Sequence, residues 1–151
     1  MRIIHTADWH LGKRMEQHER TEEHRQFLYW LLDTIRTERA GALIVAGDVF
    51  DTGTPSNAAL RLYYDFLSQV QHTGCKDVII IGGNHDSIAT LNAPRDLLRF
   101  FNVRVIGGVP DNPEDQIIEL KNESGVLQAV VAAVPFIRDK DVRLSIAGES
   151  P

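Results

Sequence analysis

Three short apolar segments of this chain each end in groups that bind cations. Asp8 and His10 follow the run at residues 2–7. Asp48 and Asp51 follow the run at residues 42–46. Asn84, His85 and Asp86 follow the run at residues 77–81. Carboxylates, an imidazole and a neutral amide oxygen form a mixed O and N donor set, which suits Mn²⁺, Fe or Zn²⁺ better than soft metals. Asp48 has two carboxylate oxygens and can bridge a pair of cations. Two cations about 3.5–4 Å apart polarise a phosphate, activate a water and hold attacking and leaving oxygens in line. The chemistry implied is phosphoester hydrolysis. His85, beside the candidate ligand Asn84, is the candidate proton donor to the leaving alkoxide. It needs an orienting partner, and the Asp51 carboxylate on its Nδ1 is the candidate for that.

Other polar residues nearby carry less. Lys13 and Arg14 come directly after the first pair, and read as contacts to substrate phosphate or as surface cations. Asp86 reads as a local hydrogen bond within its loop. Trp9 reads as packing and His5 as a core histidine within a strand. His18, His24 and His72 read as solvated.

These groups have to be carried by a scaffold. The β-branched runs predict strands at 2–7, 42–46, 77–81 and 103–106. Phe27, Leu28, Leu31, Leu32 and Ile35 recur at helical spacing and predict a helix over 21–39, stopped by Gly41. Leu60, Tyr63, Phe66, Leu67 and Val70 predict a second helix opened by Ser56 or Pro55. A third helix is expected over about 93–101, burying Leu97, Leu98 and Phe101, with Pro94 in its first turn. Residues 8–19 read as a loop. The order βαβαβαβ implies parallel strands with right-handed crossovers. Open α/β sheets place their sites at the carboxyl ends of such strands, which is where the candidate ligands fall. After a break at 107–113, residues 116–120 and 126–134 predict a β-hairpin. Residues 138–151 predict no firm element.

Composition narrows the class. A chain of 151 residues with 43% hydrophobic and 25% charged residues reads as one globular domain. The single cysteine, Cys75, allows no intrachain disulfide and points to a reducing cytoplasm. A net charge of −5 argues against broad electrostatic attraction to nucleic acid. It leaves a phosphodiester substrate open, because bound cations neutralise their carboxylate ligands.

Asp8-Trp9-His10, Gly47-Asp48-Val49-Phe50-Asp51 and Gly83-Asn84-His85-Asp86 together resemble the motifs of the calcineurin-like metallophosphoesterase superfamily. Thr52-Gly53 after Asp51, and Asp86 closing the third motif, set the chain apart from the protein-phosphatase branch, which has Arg-Gly and Glu there. The longer strings at 4–12, 45–55 and 82–91 resemble the bacterial DNA-nuclease branch. The likeness runs from Met1 to about Phe136.

The resemblance implies roles residue by residue. Asp8 and His10 would hold one metal, Asp48 would bridge, Asn84 would hold the second, and His85 would be catalytic. It implies an α/β sandwich of sheets flanked by helices, of which this chain would be the N-terminal half. It implies two divalent ions, Mn²⁺ foremost, with Fe or Mg²⁺ as substitutes. The implied activity is 3′→5′ exonuclease action on duplex ends and endonuclease action at hairpins, in DNA repair, recombination and replication. The implied partners are DNA, a coiled-coil ATPase and a second copy of the chain, in a nucleoid-associated setting. Later family motifs, Gly-His and Gly-His-x-His, supply three more ligands, and no histidine follows His85 here. The expectation is therefore the N-terminal part of one nuclease domain, without a capping domain or partner-binding tail. Such a piece should bind metal weakly, act poorly alone and expose apolar surface. A small-substrate phosphodiesterase, a protein phosphatase and a non-catalytic binding module are the competing readings.

Overall fold

A computed structural model describes residues 1–142. Four strands, β1 (Ile3–Thr6), β4 (Ala42–Ala46), β5 (Asp77–Ile81) and β6 (Val103–Ile106), form one parallel sheet in the order β1-β4-β5-β6. Register is unbroken across the centre, with Ala42 to Ala46 opposite Asp77 to Ile81. The chain-order neighbours and parallel pairing match the expected βαβαβαβ path.

Each face of this sheet has its own cover, and the period-two alternation of the strands decides which residue meets which cover. Leu43, Val45, Val78, Ile80, Val103 and Val105 face the helices. There they meet Leu28, Leu31, Leu32 and Ile35 of α1 (Thr21–Thr37) and Tyr63, Phe66, Leu67 and Val70 of α2 (Asn57–Val70). Ala42, Ile79 and Ile81 face the other way, onto Ile118 and Leu120 of β7 (Ile117–Lys121). β7 pairs antiparallel with β8 (Leu127–Ala132), the expected hairpin. Each fully buried aliphatic side chain here contributes roughly 1.5–3 kcal/mol relative to exposure.

Several local expectations are corrected. Residues 8–19 are not all loop: β2 (Arg14–Met15) and β3 (His18–Glu19) form a two-residue antiparallel pair. α1 ends at Thr37, and Arg39, at φ +50°, takes the left-handed turn assigned to Gly41. The expected helix at 93–101 is two short ones, α3 (Ile88–Asn92) and α4 (Arg95–Arg99). Ser87 caps α3 by accepting from the Thr90 amide, and Pro94, without an N–H, interrupts the ladder. Leu98 is buried as expected, but Leu97 and Phe101 are exposed. Residues 139–142 form a short helix, α5 (Asp139–Val142), whereas residues 143–151 of the 138–151 segment lie outside the described residues. Among the described residues, no helix is long and apolar enough to cross a membrane.

Candidate metal centre

The tips of β1, β4 and β5 meet at the carboxyl edge of the sheet. β1 delivers Asp8 and His10, β4 delivers Asp48 and Asp51, and β5 delivers Asn84 and His85. One ligating atom from each of Asp8, His10 and Asp48 lies within 4.8 Å of the other two. Asp8, Asp48 and Asn84 line one open cavity of about 310 Å³, walled on one side by Val134 and Phe136 after the hairpin. Asp48 is buried, while Asp8, Asn84 and His85 are exposed. The cavity is therefore open to solvent.

Backbone geometry makes this convergence possible. Asp8 (φ +56°), His10 (φ +46°) and Asp48 (φ +49°) all sit in the left-handed region. Non-glycine residues adopt it rarely and at a cost, and such outliers gather at functional sites. Gly47, at φ +91°, starts the turn that lifts Asp48 out of the strand. Across from it, a Cβ on Gly83 would fall 2.1 Å from Asp48 Oδ1, so the β5 tip can approach only as glycine.

The first two loops are joined through the backbone. The amide of Asp8 donates to the Gly47 carbonyl (3.1 Å), that of His10 to the Asp48 carbonyl (2.9 Å), and that of Leu11 to the Val49 carbonyl (2.9 Å). The Asp51 amide returns to the Leu11 carbonyl at 3.2 Å. The third loop is joined through carboxylates. The His85 amide donates to Asp48 Oδ1 at 3.0 Å. Asp86, which the sequence reading confines to its own loop, accepts from the amides of Val49, Phe50 and Gly83 at 3.1, 3.0 and 2.9 Å.

Asp51 is at the site, but not as expected. His85 Nδ1 bonds the Asp51 backbone carbonyl at 2.8 Å, and no hydrogen bond joins it to the Asp51 carboxylate. That carboxylate instead lies 3.2 Å from His10 Nδ1 and 3.5 Å from Lys13 Nζ. The carbonyl still fixes the His85 tautomer, with the proton on Nδ1 and Nε2 free. The rings of His10 and His85 meet edge to face, with centroids 4.9 Å apart. Lys13 is thus brought to the site. The Arg14 guanidinium donates to the Gln17 carbonyl in the turn between β2 and β3, and that is its only side-chain hydrogen bond among the described residues.

Two histidines are corrected. His5 is exposed rather than in the core, and His24 is buried rather than solvated. Burial lowers the His24 pKa below 6.5, Arg20 lowers it further, and Glu23 and Asp51 partly oppose them. Trp9 packs as expected, edge-on to Phe27 and Phe66, with its indole N–H on Thr6. Cys75 is buried, which pushes its thiol up to about 11 and keeps it inert.

The donor set fits a hard or borderline divalent cation. His10 Nδ1 is buried and makes no aligned hydrogen bond among the described residues, despite its closeness to Asp51. Its Nε2 is 3.9 Å from Asp48 Oδ2, too long for a hydrogen bond and close enough for the two atoms to share an ion. Clustered carboxylate oxygens without a neutralising cation repel one another, and a metal relieves that repulsion.

A family model described as calcineurin-like phosphoesterase matches residues 1–140. The chain belongs to the calcineurin-like phosphoesterase family. It is similar to the SbcD component of the SbcCD nuclease from Escherichia coli strain K12, with 45% identity over 98% of this chain and 36% of that protein. It is similar also to the same component from Rhodobacter capsulatus, at 39% identity over 94% of this chain and 36% of that protein. The Bacillus subtilis protein of the same name is 39% identical over 71% of this chain and 27% of its own length. The chain thus spans about a third of the length of the curated relatives it matches.

Proposed function

We propose that this chain is the metal-binding part of a DNA-cleaving phosphodiesterase, the nuclease subunit of an SbcCD-type complex. The observation that carries the reading is the meeting of Asp8, His10, Asp48 and Asn84 at three strand tips, on a cavity open to solvent. In this reading Asp8 and His10 hold one divalent ion, Asp48 bridges and Asn84 holds the other, with Mn²⁺ as the preferred metal. Residues 1–151 form the N-terminal part of a single metallophosphoesterase domain.

When bound, the two ions supply charge neutralisation at the phosphate and an activated water. The chain's own residues do the rest. His85, held by the Asp51 carbonyl through Nδ1–H, has Nε2 free of that bond; as the imidazolium it gives the Nε2 proton to the departing 3′ or 5′ oxygen and is left as the neutral Nδ1–H form. Its exposure suits a group that must reach a polymeric substrate. Lys13, with its ammonium near Asp51, offers a cation to a flanking phosphate. Asp51 orients His85 through its backbone carbonyl, and its carboxylate lies beside His10 and Lys13.

The finer reading is 3′→5′ exonuclease action on duplex ends and endonuclease action at hairpins, in DNA repair, recombination and replication. The partners are DNA, an SbcC-type coiled-coil ATPase and a second copy. Supporting the second copy, Leu97, Phe100 and Phe101 are exposed beside an apolar groove of about 280 Å³ between α2 and the α4 region, with Phe100 at 85% exposure.

Hairpin DNA with Mn²⁺ is the test, using the nuclease subunit together with its ATPase. Cleavage that is lost in His85→Ala with bound Mn²⁺ unchanged supports the reading. Faster turnover of cyclic nucleotides or phosphopeptides than of DNA ends contradicts it.

A further inference from the structure

Asp86 is 2% exposed and bears no cation partner among the described residues. Arg138 reaches only its backbone carbonyl, at 3.5 Å. Its charge is balanced instead by three backbone N–H dipoles, from Val49 and Phe50 on the β4 tip and Gly83 on the β5 tip. Both carboxylate oxygens are committed to these donors, so Asp86 has little left to offer a metal. The donors are not arbitrary. Val49 directly follows Asp48, and Gly83 directly precedes Asn84. The carboxylate thus ties together the two residues read as bridging and second-site ligands.

The tie is reciprocal. Asp48, on the β4 tip, accepts from a β5-tip amide, that of His85. Asp86, on the β5 tip, accepts from two β4-tip amides. Asp48, however, has a second task, since its oxygens must also face cations. Asp86 has none, and its grip does not depend on whether a cation is present. We infer that Asp86 is a positioning residue, which fixes the separation of Asp48 and Asn84 and so sets cation affinity at the second position. The inference rests on the reading of Asp48 and Asn84 as ligands.

Asp86→Asn is the informative change. An amide nitrogen cannot accept, so in either orientation at least one of the three amides loses its partner, with nearly the same volume kept. Mn²⁺ titration calorimetry on this chain compares the wild type with Asp86→Asn, Asn84→Ala and the double variant. Residues that hold ligands in place typically contribute about 10–100-fold in affinity. Asp86→Asn is expected to weaken Mn²⁺ binding at least about tenfold while the chain still melts cooperatively. The double variant should lose less than the product of the two single losses, because both act on one position. A lower melting temperature with unchanged Mn²⁺ affinity, or losses that multiply, would make Asp86 merely structural and overturn the inference alone. A wild type that binds no Mn²⁺ defeats the metal-centre reading and this inference together. If Asp86→Asn does not fold, amide exchange on the wild type decides. Protection at Val49, Phe50 and Gly83 supports the clamp, and exchange as fast as in exposed loops refutes it.

Discussion

The β1–β4 junction and the β4–β5 junction hold neighbouring halves of one site, but they are built differently. At the first, four backbone hydrogen bonds lace residues 8–11 to residues 47–51. At the second, the contacts run through the side chains of Asp48 and Asp86 to amides of the opposite tip. A backbone lace is indifferent to side-chain identity. A carboxylate lace is not: it needs those acids, charged, at those two positions. The position read as the first metal's is therefore built into the fold, and the second depends on two acids and on a glycine that lets them approach.

The largest effect expected is catalytic. His85→Leu keeps the backbone amide that Asp48 grips, so both junctions survive while the proton donor is gone. Turnover of hairpin DNA should fall roughly 10²–10⁴-fold with Mn²⁺ content unchanged. Loss of metal in this variant would mean that the imidazole itself belongs to the metal position. Gly83→Ala then strikes the carboxylate junction, because the added Cβ would fall 2.1 Å from Asp48 Oδ1. Urea unfolding should show a loss of about 1–3 kcal/mol. A neutral outcome would mean that the two tips separate easily, and the contrast between junctions would lose its basis.

A smaller effect separates the two roles of Asp51. Asp51→Asn leaves its backbone carbonyl on His85 and its amide on Leu11, and alters only the carboxylate facing His10 and Lys13. Mn²⁺ affinity should drop about tenfold. The nitrogen NMR shifts of His85 should stay those of the Nδ1–H tautomer, and a change of tautomer would restore the carboxylate as its orienting group.

The smallest effect is on stability against pH, at His24 behind the first junction. Its pKa in the folded chain is below 6.5, chiefly through burial and then Arg20. As pH falls below that ordinary value the unfolded chain takes up the proton first, so stability declines until the folded form protonates too. Unfolding at pH 7.5 and 5.5 should show this decline, and His24→Gln should flatten it. An equal slope in both proteins would place the acid sensitivity elsewhere.

Much of the site is legible in the chain because strand ends are. Apolar runs of four or five residues that stop at Asp, or at Gly followed by Asp or Asn, mark both the sheet and the edge where its ligands gather. The left-handed turns at Asp8, His10 and Asp48 are not legible, since nothing in the residue types demands them. Nor is the reach of Asp86, whose donors Val49 and Phe50 lie 37 and 36 residues away. The placing of His85 against a carbonyl is invisible for a simpler reason: every residue has one. His24 differs, because a signal is present. It precedes Leu28 by four residues on the stripe that continues to Leu31 and Ile35, so helical spacing alone puts it on the buried face. The break at Pro94 carries a signal too, in Ser87, a residue type that opens helices.

The most direct test of the metal centre is Mn²⁺ titration calorimetry on this chain and on Asp48→Ala, with the melting curve of each recorded alongside. Saturable binding in the wild type that disappears in Asp48→Ala, with both chains still melting cooperatively, is the predicted result. Identical isotherms for the two proteins would mean that the cation sits elsewhere, and that the three strand tips do not meet around Asp48 for the sake of a metal.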